Sequence, residues 1–380
     1  MTDTIAALPD PASDPFEDGR GFPPPTLRAL LEEMVERDAS DLHITAGIPP
    51  RLRIDGALAD ARHGGALAPR EAAELVGSVL TRARREQLAA GGEIDFAFDL
   101  AGVARFRCSC HRQRGQPAMA LRRIPHEIPR LEDLRLPGVV RRLVERPHGL
   151  VLVTGPTGSG KSTTLAAMVS RINETRKGHI VTIEDPVEFV HPSRGCVVSQ
   201  REVGSDTMSF AAALKSATRQ DPDVILIGEM RDPETIAVAL TIAETGHLVL
   251  ATLHTNSAAA SVHRIIDAFA SGRQAQVRAQ LALVLEGVVT QNLLQRTRGR
   301  GRVAACEVLV CTPAVRAAIR DRKVHQIPSM MQAGRKHGMQ TMNDALRQLR
   351  MRGEVSTEAA MRVSPDPAEL LRSLGDPRLS

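Results

Sequence analysis

The stretch GPTGSGKS at 155–162 sets three glycines before a lysine and a hydroxyl. This fits the pattern G-x-x-x-x-G-K-[ST], and it stands after an apolar strand (LVLVTG) and opens an expected helix (STTLAAMVSRI), as a phosphate-binding loop requires. Gly155, Gly158 and Gly160 let backbone N–H groups turn inward around phosphate oxygens, with Pro156, Thr157, Ser159 and Thr163 completing the loop and first turn. The helix N-terminus behind them adds unpaired donors and a favourable field. Lys161 reaches β- and γ-phosphates as a compact charge, and Ser162 offers a hydroxyl to Mg²⁺. Lysine is rare here: Lys161, Lys177, Lys215, Lys323 and Lys336 are the whole set, and none precedes the loop. The ligand read from this loop is a nucleoside triphosphate, ATP, with Mg²⁺.

Acids follow at the ends of later apolar segments. DVILIGEMRD at 223–232 places Glu229 just past a strand, where a carboxylate would hold the Mg²⁺ shell or its water. IEDPVEF at 183–189 gathers Glu184, Asp185 and Glu188 at another strand end, which Pro186 stops. One of the three could orient the attacking water as a general base. A third segment, GHLVLATLHTNS at 246–257, brackets an apolar strand with His247 and His254. Two imidazoles seven apart do not share one strand face, so a metal site is not expected there.

The elements that must position these groups divide the chain. Helical spacing over 26–44 breaks near Ser40; strand-like alternation follows in RLRIDGAL and in EIDFAFDLAGVARFRCSC, the latter with a hairpin turn at Ala101-Gly102. Between them, APREAAELVGSVLTRARREQLAA reads as helical. The expectation is an α+β domain over 26–125, a Pro-punctuated linker over 126–148 ending in a short helix, and an α/β domain over 149–365. In the last, apolar strands alternate with helices, so a parallel sheet covered on both faces is expected. After about 260 the reading is mostly helical, closing in a tail at 366–380. Residues 1–25, acidic and Pro-rich without a basic-then-apolar pattern, read as a disordered leader.

Composition narrows the classes. The chain has 380 residues, enough for two domains with separate cores, and no run of about 18 apolar residues. Five cysteines without a C-x-x-C pair, Cys108, Cys110, Cys196, Cys306 and Cys311, read as reduced thiols of a cytoplasmic protein. A net charge of +5, no Trp, no Tyr and eight Phe give little footing for nucleic acid, and none is expected as a partner.

Taken together, these residues resemble the secretion-superfamily ATPases of the type IV pilus retraction class, the PilT/PilU family, over about 26–365. ASDLHITAGIPPRLRIDG (39–56) resembles that family's PAS-like N-terminal domain, TIEDPVEFVH its acidic box, SQREVGSDTMSFAAALKSATRQDPDVILIGEMRD its Walker B region, AETGHLVLATLHTN its histidine box, and HQIPSMMQAGRKHGMQTMNDAL (325–346) its C-terminal segment. The resemblance implies a PAS-like α+β domain followed by a RecA-like P-loop NTPase domain. It also implies a homohexamer that turns ATP hydrolysis into pilus retraction and twitching motility at the cytoplasmic face of the inner membrane. A pilus platform protein and a paralogous pilus ATPase are the implied partners. Glu188 becomes the catalytic glutamate and Glu229 the Walker B acid. His247 and His254 become the box histidines, both framing the strand next to the phosphate loop. RFRCSCHRQRG (105–115) resembles the element that brings arginines to the phosphates, making Arg105, Arg107, Arg112 and Arg114 candidates, with Arg231 another.

One stretch departs from the family. AVRAAIRD at 314–321 stands where retraction motors often carry AIRNLIRE, which leaves an accessory PilU-like role open. The rival readings are a pilus-assembly or type II secretion ATPase, which usually carries a C-x-x-C zinc insertion absent here, and a nucleic-acid-dependent RecA-like motor.

Overall fold

The computed structural model describes residues 26–62, 65–124, 127–298 and 301–375. The expected leader, 1–25, lies outside them. The chain forms two compact units, 1–126 and 127–380.

The first unit begins with α1 (Leu27–Glu36), capped by the Thr26 hydroxyl, then β1 (Asp41–Ile44), β2 (Arg51–Ile54) and β3 (Ala57–Asp60). Two helices follow, α2 (Pro69–Gly77) and α3 (Arg82–Ala89). The single helix expected at 68–90 is therefore broken: the Ser78 hydroxyl bonds back to the Leu75 carbonyl, and Thr81 caps a new start. Three longer strands close the unit: β4 (Ile94–Leu100), β5 (Ala104–Gln113) and β6 (Gln116–Ile124). All neighbours in the sheet β3-β2-β1-β6-β5-β4 run antiparallel. Along β5 every second side chain is buried, so Phe106, Cys108 and Cys110 enter the core while Arg105, Arg107 and Ser109 take the other face.

The second unit opens with α4 (Val139–Val144) and β7 (Gly149–Thr154), followed by α5 (Lys161–Thr175), β8 (His179–Glu184) and β9 (Val197–Glu202). Next come α6 (Phe210–Ala217), β10 (Val224–Ile227), α7 (Pro233–Glu244) and β11 (Leu248–Leu253). Two helices, α8 (Ala258–Asp267) and α9 (Ser271–Val284), precede β12 (Leu285–Gln295) and β13 (Arg302–Val310). The chain then runs through α10 (Pro313–Arg320), α11 (Ile327–Ala333), α12 (Met342–Met351), α13 (Thr357–Val363) and α14 (Pro367–Leu374).

The sheet order is β13-β12-β7-β11-β10-β8-β9, with every pair parallel except β12–β13. β7, β10 and β11 are buried along their whole length, as strands covered on both faces must be. Alternate residues feed two cores. Leu150, Leu152 and Val288 pack with α7, α8 and α9 on one face, and Val151, Val153 and Val289 pack with α4 and α5 on the other.

The segment after 260 is mostly helical, as expected, but two strands interrupt it: LEGVVTQNLLQ and RVAACEVLV form β12 and β13. Such apolar runs cannot be told from buried helix by periodicity, and only lateral pairing of β12 with β7 decides it. The expected tail at 366–380 contains α14, whose first turn is capped by Asp366 and whose Leu370 is buried with Leu346 and Leu349 of α12.

Phe106 is wholly buried and stacks on Phe98 with ring centroids 5.7 Å apart. Phe106→Ala should cost about 3–5 kcal/mol of stability, read as a shift in urea unfolding followed by circular dichroism. A loss below about 1 kcal/mol would mean that the antiparallel unit does not depend on this ring.

Candidate functional site

In a parallel sheet all strand C-termini fall on one edge, where backbone groups run out of partners and ligands bind. The register places Thr154 beside Leu253 and Ile183 beside Ile227, so the segments after β7, β8, β10 and β11 leave from that edge together.

After β7, Gly155 has a φ of +141°, and a Cβ there would lie 2.3 Å from the Gln291 carbonyl oxygen and 2.7 Å from Ser159 Oγ. β12 thus presses on the back of the loop, and only glycine fits the contact. Gly158 and Gly160 also take positive φ, +78° and +88°, which turns the chain into α5. Lys161 is folded into its own loop, its Nζ donating to the Gly155 and Pro156 carbonyls at 3.0 Å each. Burial lowers its pKa, opposed by the nearby charges of Glu229 and Glu188. Ser159 Oγ is buried without a hydrogen-bond partner among the described residues, an available donor inside the loop. Ser162 and Thr163 lie half-buried in the first turn of α5, while Pro156, Thr157 and Gly158 form its exposed tip.

The acids stand around this loop in two different environments. Glu184, the last residue of β8, accepts hydrogen bonds from Thr182 Oγ1 (2.7 Å) and Gln200 Nε2 (3.2 Å), and the nearby backbone N–H of Glu188 also favours its charged form. Burial outweighs these donors and raises its pKa above the ordinary Glu value. Glu229 goes the other way: burial opposes ionisation, but the Arg231 guanidinium at 2.7 Å and the His254 Nε2 at 3.3 Å together hold its carboxyl below the ordinary value. The two carboxyls thus have pKa values pushed in opposite directions on one sheet edge, Glu184 up and Glu229 down.

The backbone under Glu229 is held from both neighbours. Gly228 N–H donates to the Ile183 carbonyl, Thr252 Oγ1 donates to the Gly228 carbonyl at 2.5 Å, and Met230 N–H donates to the Thr252 carbonyl. A Cβ on Gly228 would meet Glu184 Cα at 3.2 Å, so a bare backbone is what lets the two acidic turns approach.

The residues expected at the site are not all brought together. Lys161, Ser162, Glu188, Glu229, Arg231 and His254 gather at this edge. His247 does not. It precedes β11, at the start of the strand whose end leads to His254, and six strand residues span roughly 17–20 Å. Its Nδ1 instead lies 3.0 Å from the Ile242 carbonyl, closing the C-terminus of α7. Both ends of one strand cannot reach the same loop.

The arginines at 105–114 belong to the first unit and differ among themselves. Arg105 pairs with Asp99 at 2.5 Å, and Arg107 shares its strand face, half-buried. Arg112 donates to the Ala89 and Gly115 carbonyls. Arg114, at φ +50°, is the turn residue between β5 and β6.

Residues 17–362 match the model of the family described as Type II/IV secretion system protein. This chain belongs to that family. Among its relatives, a twitching motility protein of Neisseria gonorrhoeae is 51% identical over 292 residues, covering 77% of this chain and 78% of the relative. The "Type IV pilus retractation ATPase PilT" of Pseudomonas aeruginosa is 46% identical over 336 residues, covering 88% and 96%. A crystal structure of the pilus retraction motor PilT with bound ADP matches with a TM-score of 0.86 at 48% identity, covering 92% of this chain and 99% of that one.

In this family member, sequence reasoning passed over Thr252, Gly228, Gln200 and Gln291. Gln291 donates to Thr164 Oγ1 of α5 from behind the loop. The available signal was a polar residue inside an apolar strand, as in ATLH and VVTQN.

Gly155→Ala adds both a forbidden φ and a clash with backbone. Binding of ADP, measured by calorimetry, should weaken about tenfold to a hundredfold. Unchanged affinity would show that the β12 carbonyl does not shape the loop.

Proposed function

We propose that this chain is an ATP-hydrolysing motor that powers type IV pilus retraction. The observation that carries the catalytic part is the arrangement of Lys161, Glu188 and the oppositely shifted Glu184 and Glu229 on one sheet edge. The motor part rests on the resemblance to the PilT proteins along nearly their whole length.

In this reading the amides of 155–163 and the first turn of α5 take the phosphates, with Lys161 leaving its loop carbonyls for β- and γ-oxygens. Ser162 and Glu229 are oxygen donors of the kind Mg²⁺ takes, and Glu229 is held ionised as a ligand must be. Bound there, Mg²⁺ would neutralise charge developing on the transferred phosphoryl group. Glu188 takes the proton of the attacking water, and Glu184 holds the backbone of Glu188 in place through its N–H. His254 and Arg231 orient the Glu229 carboxylate. Of the four N-terminal arginines, the proposal retains Arg107 for phosphate charge, since Arg105 and Arg112 have partners within their own unit and Arg114 forms a turn.

The working form proposed is a homohexamer at the cytoplasmic base of the pilus, engaging a membrane-embedded platform protein. Among the described residues no helix is long and apolar enough to cross a membrane.

Glu188→Gln should lower kcat on the order of 10²–10⁴-fold while ADP binding persists; normal turnover would remove Glu188 from the chemistry. Arg231→Ala removes the strongest influence that lowers the Glu229 pKa. That pKa then rises, and the acid limb of the kcat/KM–pH profile moves to higher pH; an unmoved limb would contradict the role of Glu229 as the obligatory anion. Deletion in the native host should give hyperpiliated cells that do not twitch, whereas bald cells would point to assembly.

A further inference from the structure

Along β13 one acid interrupts the apolar run. Glu307 is 7% exposed and lies on the face that packs against α8. Its carboxylate accepts the N–H of Ala258 at 2.7 Å, and the nearby N–H of Met342 also favours its charged form. These are the first residues of α8 and α12. Each helix already has a hydroxyl cap, but Ser257 Oγ takes Ala260 N–H and Thr341 Oγ1 takes Asp344 N–H, so neither cap reaches the first amide. Glu307 supplies the missing acceptor to α8 and sets its charge beside the first amide of α12, and both helix fields favour that negative charge. Burial opposes that charge and raises its pKa.

The position of this carboxylate gives it consequences for the site. Glu307 is directly opposite Thr290, which is opposite Thr154, and the two threonine hydroxyls are 2.9 Å apart. This polar row thus ends at the residue before the phosphate loop. On its other side, α8 grows directly out of the segment His254–Ser257. That segment is pinned by Thr255 Oγ1 to Ser261 Oγ at 2.6 Å and by Ser261 Oγ to the Ser257 carbonyl at 2.8 Å. A loosened first turn of α8 would let His254 drift from Glu229.

We propose that Glu307 is a positioning residue for ATP hydrolysis: by accepting the first amide of α8 it fixes the loop that sets His254 on Glu229, and by its attraction for the first amide of α12 it couples that loop to the C-terminal helices. The proposal rests on the roles given above to His254 and Glu229. It is independent of pilus retraction.

Glu307→Gln keeps the size of the side chain but leaves one acceptor oxygen for two amides and turns an NH₂ toward the other. Its kcat should fall about tenfold with ADP affinity and binding stoichiometry unchanged. A purely structural role would instead lower the thermal midpoint and the fraction of sites that bind ADP, with kcat per binding site preserved; that result overturns the proposal. The decisive comparison is a cycle with His254→Ala. If Glu307 acts through His254, the double variant loses no more activity than His254→Ala alone. Additive losses, or wild-type kcat in Glu307→Gln, overturn it. Wild-type kcat in His254→Ala sinks the reading of His254 itself, and the proposal with it. Should Glu307→Gln fail to fold, Ser257→Ala loosens the same turn from its exposed side; a reduced kcat without loss of ADP binding supports the proposal, and an unchanged kcat overturns it.

Discussion

Four strands, β7, β11, β10 and β8, lie side by side in parallel register, and everything chemical in the second unit follows from where they stop. Hydrogen-bond pairing runs out at one edge, so the backbone there must find partners in turns, side chains or ligand. The phosphate loop, the acidic turn after β8, the Glu229 turn and the His254 segment all emerge there. Two bare backbone positions make the convergence tight: Gly155 lies against the carbonyl of Gln291, and Gly228 against the Cα of Glu184.

Electrostatics then separate groups of the same chemical type. Glu184 and Glu229 are both glutamates at strand ends. The first is shut in with donors too weak to offset its burial, and the second is met by a guanidinium and an imidazole. Charge is thereby concentrated on the side of the loop where Lys161 feels both Glu229 and Glu188. The same logic recurs at Glu307, whose burial raises its pKa and is only partly opposed by amides at two helix starts.

The first unit uses charge differently. Its antiparallel sheet buries one face and covers the other with alternating Arg and Asp: Asp99 with Arg105, Asp41 with Arg122 and Arg53, and Asp60 with Arg51. Several of these pairs are solvent-exposed and add little stability singly. They keep a sheet face polar and leave the hydrophobic work to Phe96, Phe106, Leu42 and Leu121 inside.

The order of residues alone determined the glycine-rich loop after β7, the two acidic turns, the alternation of β5 and the α/β character of the second unit, because each is written in short-range pattern: glycine spacing, period-two burial, or an apolar run ending in an acid. It could not determine that VVTQN and ACEVL are strands, since an apolar run becomes β12 only by lying against β7. Nor could it tell His247 from His254. Both sit in one motif, but a strand of six residues carries them to opposite edges of the sheet, so one closes a helix and the other meets Glu229. Glu307 was likewise silent in the sequence, because its meaning comes from two helix starts, at 258 and 342, that only the folded chain brings to one carboxylate.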